Sequence, residues 1–95
     1  MLDKKKKQAL KAMGNSLKAT VQVGKDGLSE NIIDMAEKSL EAHELIKVSI
    51  LKTCPVSTNE ISLDISANTH AEIVQIIGRT ILLYRASEKR KIHFE

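Results

Sequence analysis

The sequence predicts a compact α/β fold with the order α-β-α-β-α-β-β and one mixed four-stranded sheet. Three observations carry this. The segment 17–23, LKATVQV, alternates apolar and polar residues as a half-buried strand does. Two stretches, starting at Ser29 and Ser57, open on helix-start signals. The segment 72–85, EIVQIIGRTILLYR, is apolar on both sides of Gly78-Arg79, the pattern of a hairpin. The β-α-β-α-β portion implies right-handed crossovers and a sheet covered by helices.

Each element has its own reason. Residues 3–13 read as a helix with a narrow apolar stripe of Ala9, Leu10 and Met13, stopped at Gly14. In the strand 17–23, Leu17, Ala19, Val21 and Val23 point one way and Lys18, Thr20 and Gln22 the other. Ser29 is the N-cap of a helix over about 30–43. Glu30 sits near the positive end of its dipole, and Leu28 with Ile33 forms a hydrophobic staple. Ile32, Ile33, Ala36 and Leu40 make its buried stripe. Residues 44–52, ELIKVSILK, are β-branched and apolar, a second strand ended by Pro55. Within 57–69, Ile61, Leu63 and Ile65 alternate like a strand. Against that stand the capping box of Ser57 with Glu60 and the staple of Val56 with Ile61, and the two start signals decide for helix. The tail 88–95 is charged, with Ile92 and Phe94 alternating as in a short edge strand.

The chain has 95 residues, enough for one domain over 1–95 with one core and one binding face. Hydrophobic residues make up 42% and charged residues 28%, as in an ordinary globular domain. The formal charge of +3 is a mild excess that permits a polyanionic partner. Cys54 is the only cysteine, so no internal disulfide forms, which suits a reducing compartment. The N-terminal MLDKKKKQAL has no apolar stretch behind its basic residues, so neither a signal peptide nor a membrane span is expected. A cytoplasmic monomer without cofactor or small-molecule substrate is the expectation.

Gly24-Lys25-Asp26-Gly27 is the first chemical candidate. Glycine admits positive φ and close backbone approach, and exposed N–H groups before a helix favour anions. KH domains clamp a nucleic-acid backbone with such a GxxG loop. The loop therefore reads either as an RNA-backbone clamp with Lys25 supplying charge, or as a tight strand-to-helix turn. Asp26 sets a negative charge where a phosphate would come.

Basic clusters are the second candidate. Lys4, Lys5, Lys6, Lys7 and Lys11 lie on the first helix, where four consecutive lysines span a full turn and cannot all face one ligand. Arg79 sits in the hairpin turn, Arg85 follows the last strong strand, and Lys89, Arg90 and Lys91 follow that. Lys18, on the polar side of the first strand, joins Lys4 and Lys7 in the candidate set. Acidic residues concentrate elsewhere, at Glu30, Asp34, Glu37, Glu41 and Glu44. A surface built only for solubility needs no such segregation.

Tyr84 and Phe94 are the only aromatic residues, too few for a base-stacking platform. Tyr84 is expected at the edge of the core. Any RNA contact is then mainly to the backbone, with limited sequence preference. Catalytic signals are poor. Cys54 beside Pro55 has no local base, and His43, His70 and His93 show no metal-ligand spacing. No phosphate-binding GxxxxGK[ST] or dinucleotide GxGxxG occurs. Met13 and Met35 read as core fillers.

Three blocks, LKATVQVGKDGLSENII, HELIKVSIL and IVQIIGRTILLYR, resemble in order the CRM domain of the YhbY-type RNA-binding proteins. The resemblance spans roughly residues 4–92. Its most distinctive element is G-[KR]-x-x-x-L-Y-R, here Gly78, Arg79, Leu83, Tyr84 and Arg85. The tail EKRKI, 88–92, also looks like the family's ending. The resemblance implies a fold similar to the C-terminal domain of translation initiation factor three, with KH-like RNA contact through the GxxG loop. It implies Gly24, Lys25, Asp26 and Gly27 as the loop and Arg79 and Arg85 as flanking basic residues. Bacterial stand-alone members are associated with precursors of the large ribosomal subunit. A non-catalytic RNA-binding protein acting on large-subunit ribosomal RNA in such precursors is the leading expectation. The alternative is a protein–protein adapter docking an acidic ribosomal or assembly-factor partner.

Overall fold

A computed structural model of the chain describes residues 3–87. The elements run α1 (Lys4–Gly14), β1 (Ala19–Val23), α2 (Glu30–His43), β2 (Leu45–Ile50), α3 (Thr58–Thr69), β3 (Glu72–Ile77) and β4 (Thr80–Tyr84). This is the expected order. The strands form one sheet in the order β1-β2-β4-β3. β1 pairs parallel with β2, and β4 pairs antiparallel with both β2 and β3.

Each helix starts where a side chain can satisfy its first free amides. The Asp3 carboxylate accepts from Lys6 N–H at 2.8 Å, Ser29 Oγ from Ile32 N–H at 3.3 Å, and Ser57 Oγ from Glu60 N–H at 3.2 Å. In α3, Ile61 and Ile65 are one helical turn apart and fully buried, while Leu63 is 64% exposed. A strand would have put all three on one face.

Two apolar clusters sandwich the sheet. Val21, Val23, Ile46, Val48, Ile81 and Leu83 meet Ala36 and Leu40 of α2 and Ile61 and Ile65 of α3. On the other face Leu10 of α1 packs with Leu45, Val74, Leu82 and Tyr84, joined by Leu17.

Some placements differ from the alternation read above. A register irregularity between Ala19 and Val21 breaks the first strand's period. Leu17 therefore joins the α1 side, opposite Val21 and Val23, and Ala19 is exposed. Met13 and Met35 are 39% and 47% exposed and do not fill the core. In α1 only Leu10 and Gly14 are buried, because the helix leans on the sheet along one narrow line. The edge strand expected around Ile92 and Phe94 lies outside the described residues.

Candidate nucleic-acid interface

The parallel pairing of β1 with β2 brings their C-terminal ends side by side. Leu51 N–H donates to Val23 C=O at 2.8 Å, and Ile50 N–H donates to Arg79 C=O at 2.7 Å. The 24–27 turn, the 51–57 loop and the 78–79 hairpin turn therefore crown one end of the sheet. Both α2 and α3 begin there, so their N-terminal amides face the same region.

Residues 24–27 form a tight turn closed by Gly27 N–H donating to Gly24 C=O at 3.0 Å. Gly27 has φ of +66°, a left-handed conformation that a side chain disfavours. Gly24 is different. It has no such φ, and a Cβ there would meet only Leu51 Cδ1 at 3.5 Å and Thr53 Oγ1 at 3.8 Å, ordinary contacts. The fold does not need glycine at 24. Lys25 and Asp26 are exposed at the tip. Among the described residues, their N–H groups donate to no other part of the chain. The turn thus presents two uncommitted amides beside a position with no side chain.

Arg79 is exposed in the hairpin turn. It lines a groove of about 380 Å³ with Lys52, Cys54 and the start of α3 at Ser57 and Thr58. Lys52 was missing from the sequence-derived set. Its signal is topological: it follows β2 by two residues, and parallel pairing sets that end beside Gly24. Lys25, Lys52 and Arg79 share this end with three carboxylates, Asp26, Glu30 and Glu60.

Arg85 is not part of this surface. It follows β4, at the far end of the strand from Arg79, about 20 Å away at strand rise. Its Nη1 donates to Glu37 Oε2 at 3.1 Å and to Thr69 C=O at 2.7 Å, and its Nη2 to Glu37 C=O at 3.3 Å. Nη2 also lies 3.5 Å from Glu41 Oε2. The guanidinium joins β4 to α2 and to the end of α3. Nearby, the buried Glu44 carboxylate accepts from Ser87 N–H at 2.6 Å and Ser87 Oγ at 2.7 Å. The acidic residues of α2 are thus partly a structural latch.

Lys4 and Lys7 precede Leu10, which packs beside Leu45 and Tyr84, so they sit toward the Arg85 end. Lys18 lies before β1, at the opposite end of that strand from the turn. Lys89, Arg90 and Lys91 lie outside the described residues. Tyr84 is 9% exposed and belongs to the α1-side cluster. Among the described residues no group of three His, Cys, Asp or Glu side chains could hold a metal ion, and no helix is long and apolar enough to cross a membrane.

The chain is 38% identical over 91 residues to "Probable RNA-binding protein YqeI" of Bacillus subtilis, an alignment covering 96% of this chain and 95% of that protein. It is also 38% identical over 91 residues to an RNA-binding protein of Haemophilus influenzae, covering 96% and 92%. The solution structure of a hypothetical Staphylococcus aureus protein, described as a candidate RNA binder, superposes with a TM-score of 0.81 at 36% identity, covering 96% of this chain and 95% of that one. The CRS1/YhbY (CRM) domain profile matches residues 2–85. With the three sequence blocks, the sheet order and the 24–27 turn all in place, the chain belongs to the CRS1/YhbY (CRM) domain family.

Proposed function

We propose that the chain is a non-catalytic RNA-binding protein that holds the ribose-phosphate backbone at the end of the sheet bearing residues 24–27, 52 and 79. The observation that carries this is the turn itself. Two amides with no partner among the described residues and a glycine the fold does not require stand beside Lys25, Lys52 and Arg79. Phosphate oxygens accept from such amides and cations whatever the base, so binding is mainly sequence-independent. Asp26 points its charge away from the phosphate or contacts a ribose hydroxyl. Arg85 holds the fold and does not touch RNA. The relatives' names point to the same partner class.

The RNA is ribosomal RNA of the large subunit, in a precursor particle that the protein helps to assemble, and the protein acts as a monomer in the cytoplasm. Sedimentation of a cell lysate tests this. The protein should comigrate with a large-subunit precursor at low salt and leave it at high salt. Comigration that survives both high salt and ribonuclease would overturn the RNA reading in favour of a protein partner. Lys25→Glu should weaken binding to every RNA sequence by a similar factor, read by titration of labelled oligonucleotides; loss confined to one sequence would contradict backbone contact.

A further inference from the structure

The sheet has a second, open surface. α1 ends at Gly14, and the chain turns back with Leu17 N–H donating to Gly14 C=O at 3.1 Å. The helix therefore covers only part of its face. Thr20 and Gln22 of β1 stay exposed, and Ser49 of β2 stays half-exposed. Between the last turn of α1 and the sheet lies a depression of about 170 Å³. Its polar rim is Lys11, Asn15, Lys47, Gln75 and Thr80, with the buried Leu82 beneath. No acidic side chain lines it.

Lys47 is the anomaly. It sits mid-strand in β2, paired with Ala19 on one side and Leu82 on the other. Both neighbours are apolar, and no ion pair among the described residues engages Lys47 or Lys11. A cation half-buried in a sheet without a carboxylate favours an anion from outside. Beside the exposed Ile77, the surface around it offers hydroxyls, amides and ammonium groups and no exposed ring, which suits phosphate and sugar and not base stacking. It is continuous with the loop end, because Arg79 immediately precedes Thr80 on the rim.

We infer that this open half of the sheet is a second RNA-backbone surface, with Lys11 and Lys47 as its cations, over which a strand held at the 24–27 turn continues past Arg79. The inference rests on the reading of the loop end as an RNA clamp.

The test compares single-stranded RNAs of about 4 and about 16 nucleotides, titrated against wild type, K25Q, the double variant K11Q/K47Q and the double variant K11R/K47R. K25Q should weaken both lengths. K11Q/K47Q should leave the short RNA unaffected, and for the long RNA make the slope of log K against log salt less negative by about 1.4. K11R/K47R should restore the wild-type slope. If K25Q weakens binding while K11Q/K47Q matches wild type on the long RNA, the second surface is wrong and the loop reading stands. If wild type binds neither RNA, both readings fail. Amide shifts in wild type keep the test independent of the variants' folding. The long RNA should move Gln22, Lys47, Ser49 and Thr80; movement only at 24–27 and 79, or movement of the sheet residues by an acidic peptide and not by RNA, overturns the inference.

Discussion

Gly24 and Gly27 look equivalent in the sequence and are not. Gly27 holds φ at +66°, so Gly27→Ala should cost about 1 to 2 kcal/mol of stability, measured by urea unfolding. Gly24→Ala meets only ordinary contacts, and its unfolded chain loses freedom, so stability should stay level or rise by up to about 1 kcal/mol. If the turn holds RNA as proposed, affinity should nonetheless fall, because the added methyl would stand in the path of the bound backbone. A Gly24→Ala protein that binds RNA as wild type does would show that this turn only redirects the chain. Arg85 makes the opposite case. Its guanidinium makes three hydrogen bonds to α2 and α3 and is 20% exposed. Arg85→Gln should lower stability by about 1 to 2 kcal/mol, the exposed Glu41 contact adding little, and leave RNA affinity unchanged once the protein is folded. The sequence could not separate Arg79 from Arg85. Both are cations bordering β4, and only strand length and direction put them at opposite ends.

At the scale of elements, the caps were legible because they are local. Ser29 and Ser57 accept from the third helical amide as a short-range pattern predicts. Ser57→Ala should cost about 1 kcal/mol, read by thermal or chemical unfolding, and unchanged stability would mean that the loop 51–57 fixes the start of α3 without it. The burial of Ile61 and Ile65 against the exposure of Leu63 settles the one helix whose period was ambiguous. What was not legible depends on partners distant in sequence. Leu17 changes face because of an irregularity against β2, which no periodicity within residues 17–23 announces. Met13 ends the narrow stripe of α1 and Met35 lies beside the stripe of α2, and both remain partly exposed. Lys47 reads as a lapse in an apolar strand until α1 is seen to stop short of it.

Across the whole molecule, topology gathers the candidate site. Parallel β1 and β2 and the antiparallel β4 bring three connections, distant in sequence, to one end, together with the starts of α2 and α3. The other end holds Glu37, Glu41 and Glu44 around Arg85 and Ser87. Net charge does not divide the two ends, since Asp26, Glu30 and Glu60 accompany the cations of the loop end and Lys4 and Lys7 lie toward Arg85. Binding should therefore depend on where a cation lies and not on how many the chain carries. The salt dependence of RNA affinity for wild type, the triple variant K25Q/K52Q/R79Q and R85Q measures this directly. With ~4 phosphates neutralised on a single strand, wild type and R85Q should show slopes of log K against log salt near −3, and the triple variant a slope about 2 shallower. A wild-type slope near zero, or a triple variant indistinguishable from wild type, would contradict the assignment of the 24–27 end as the RNA-holding surface.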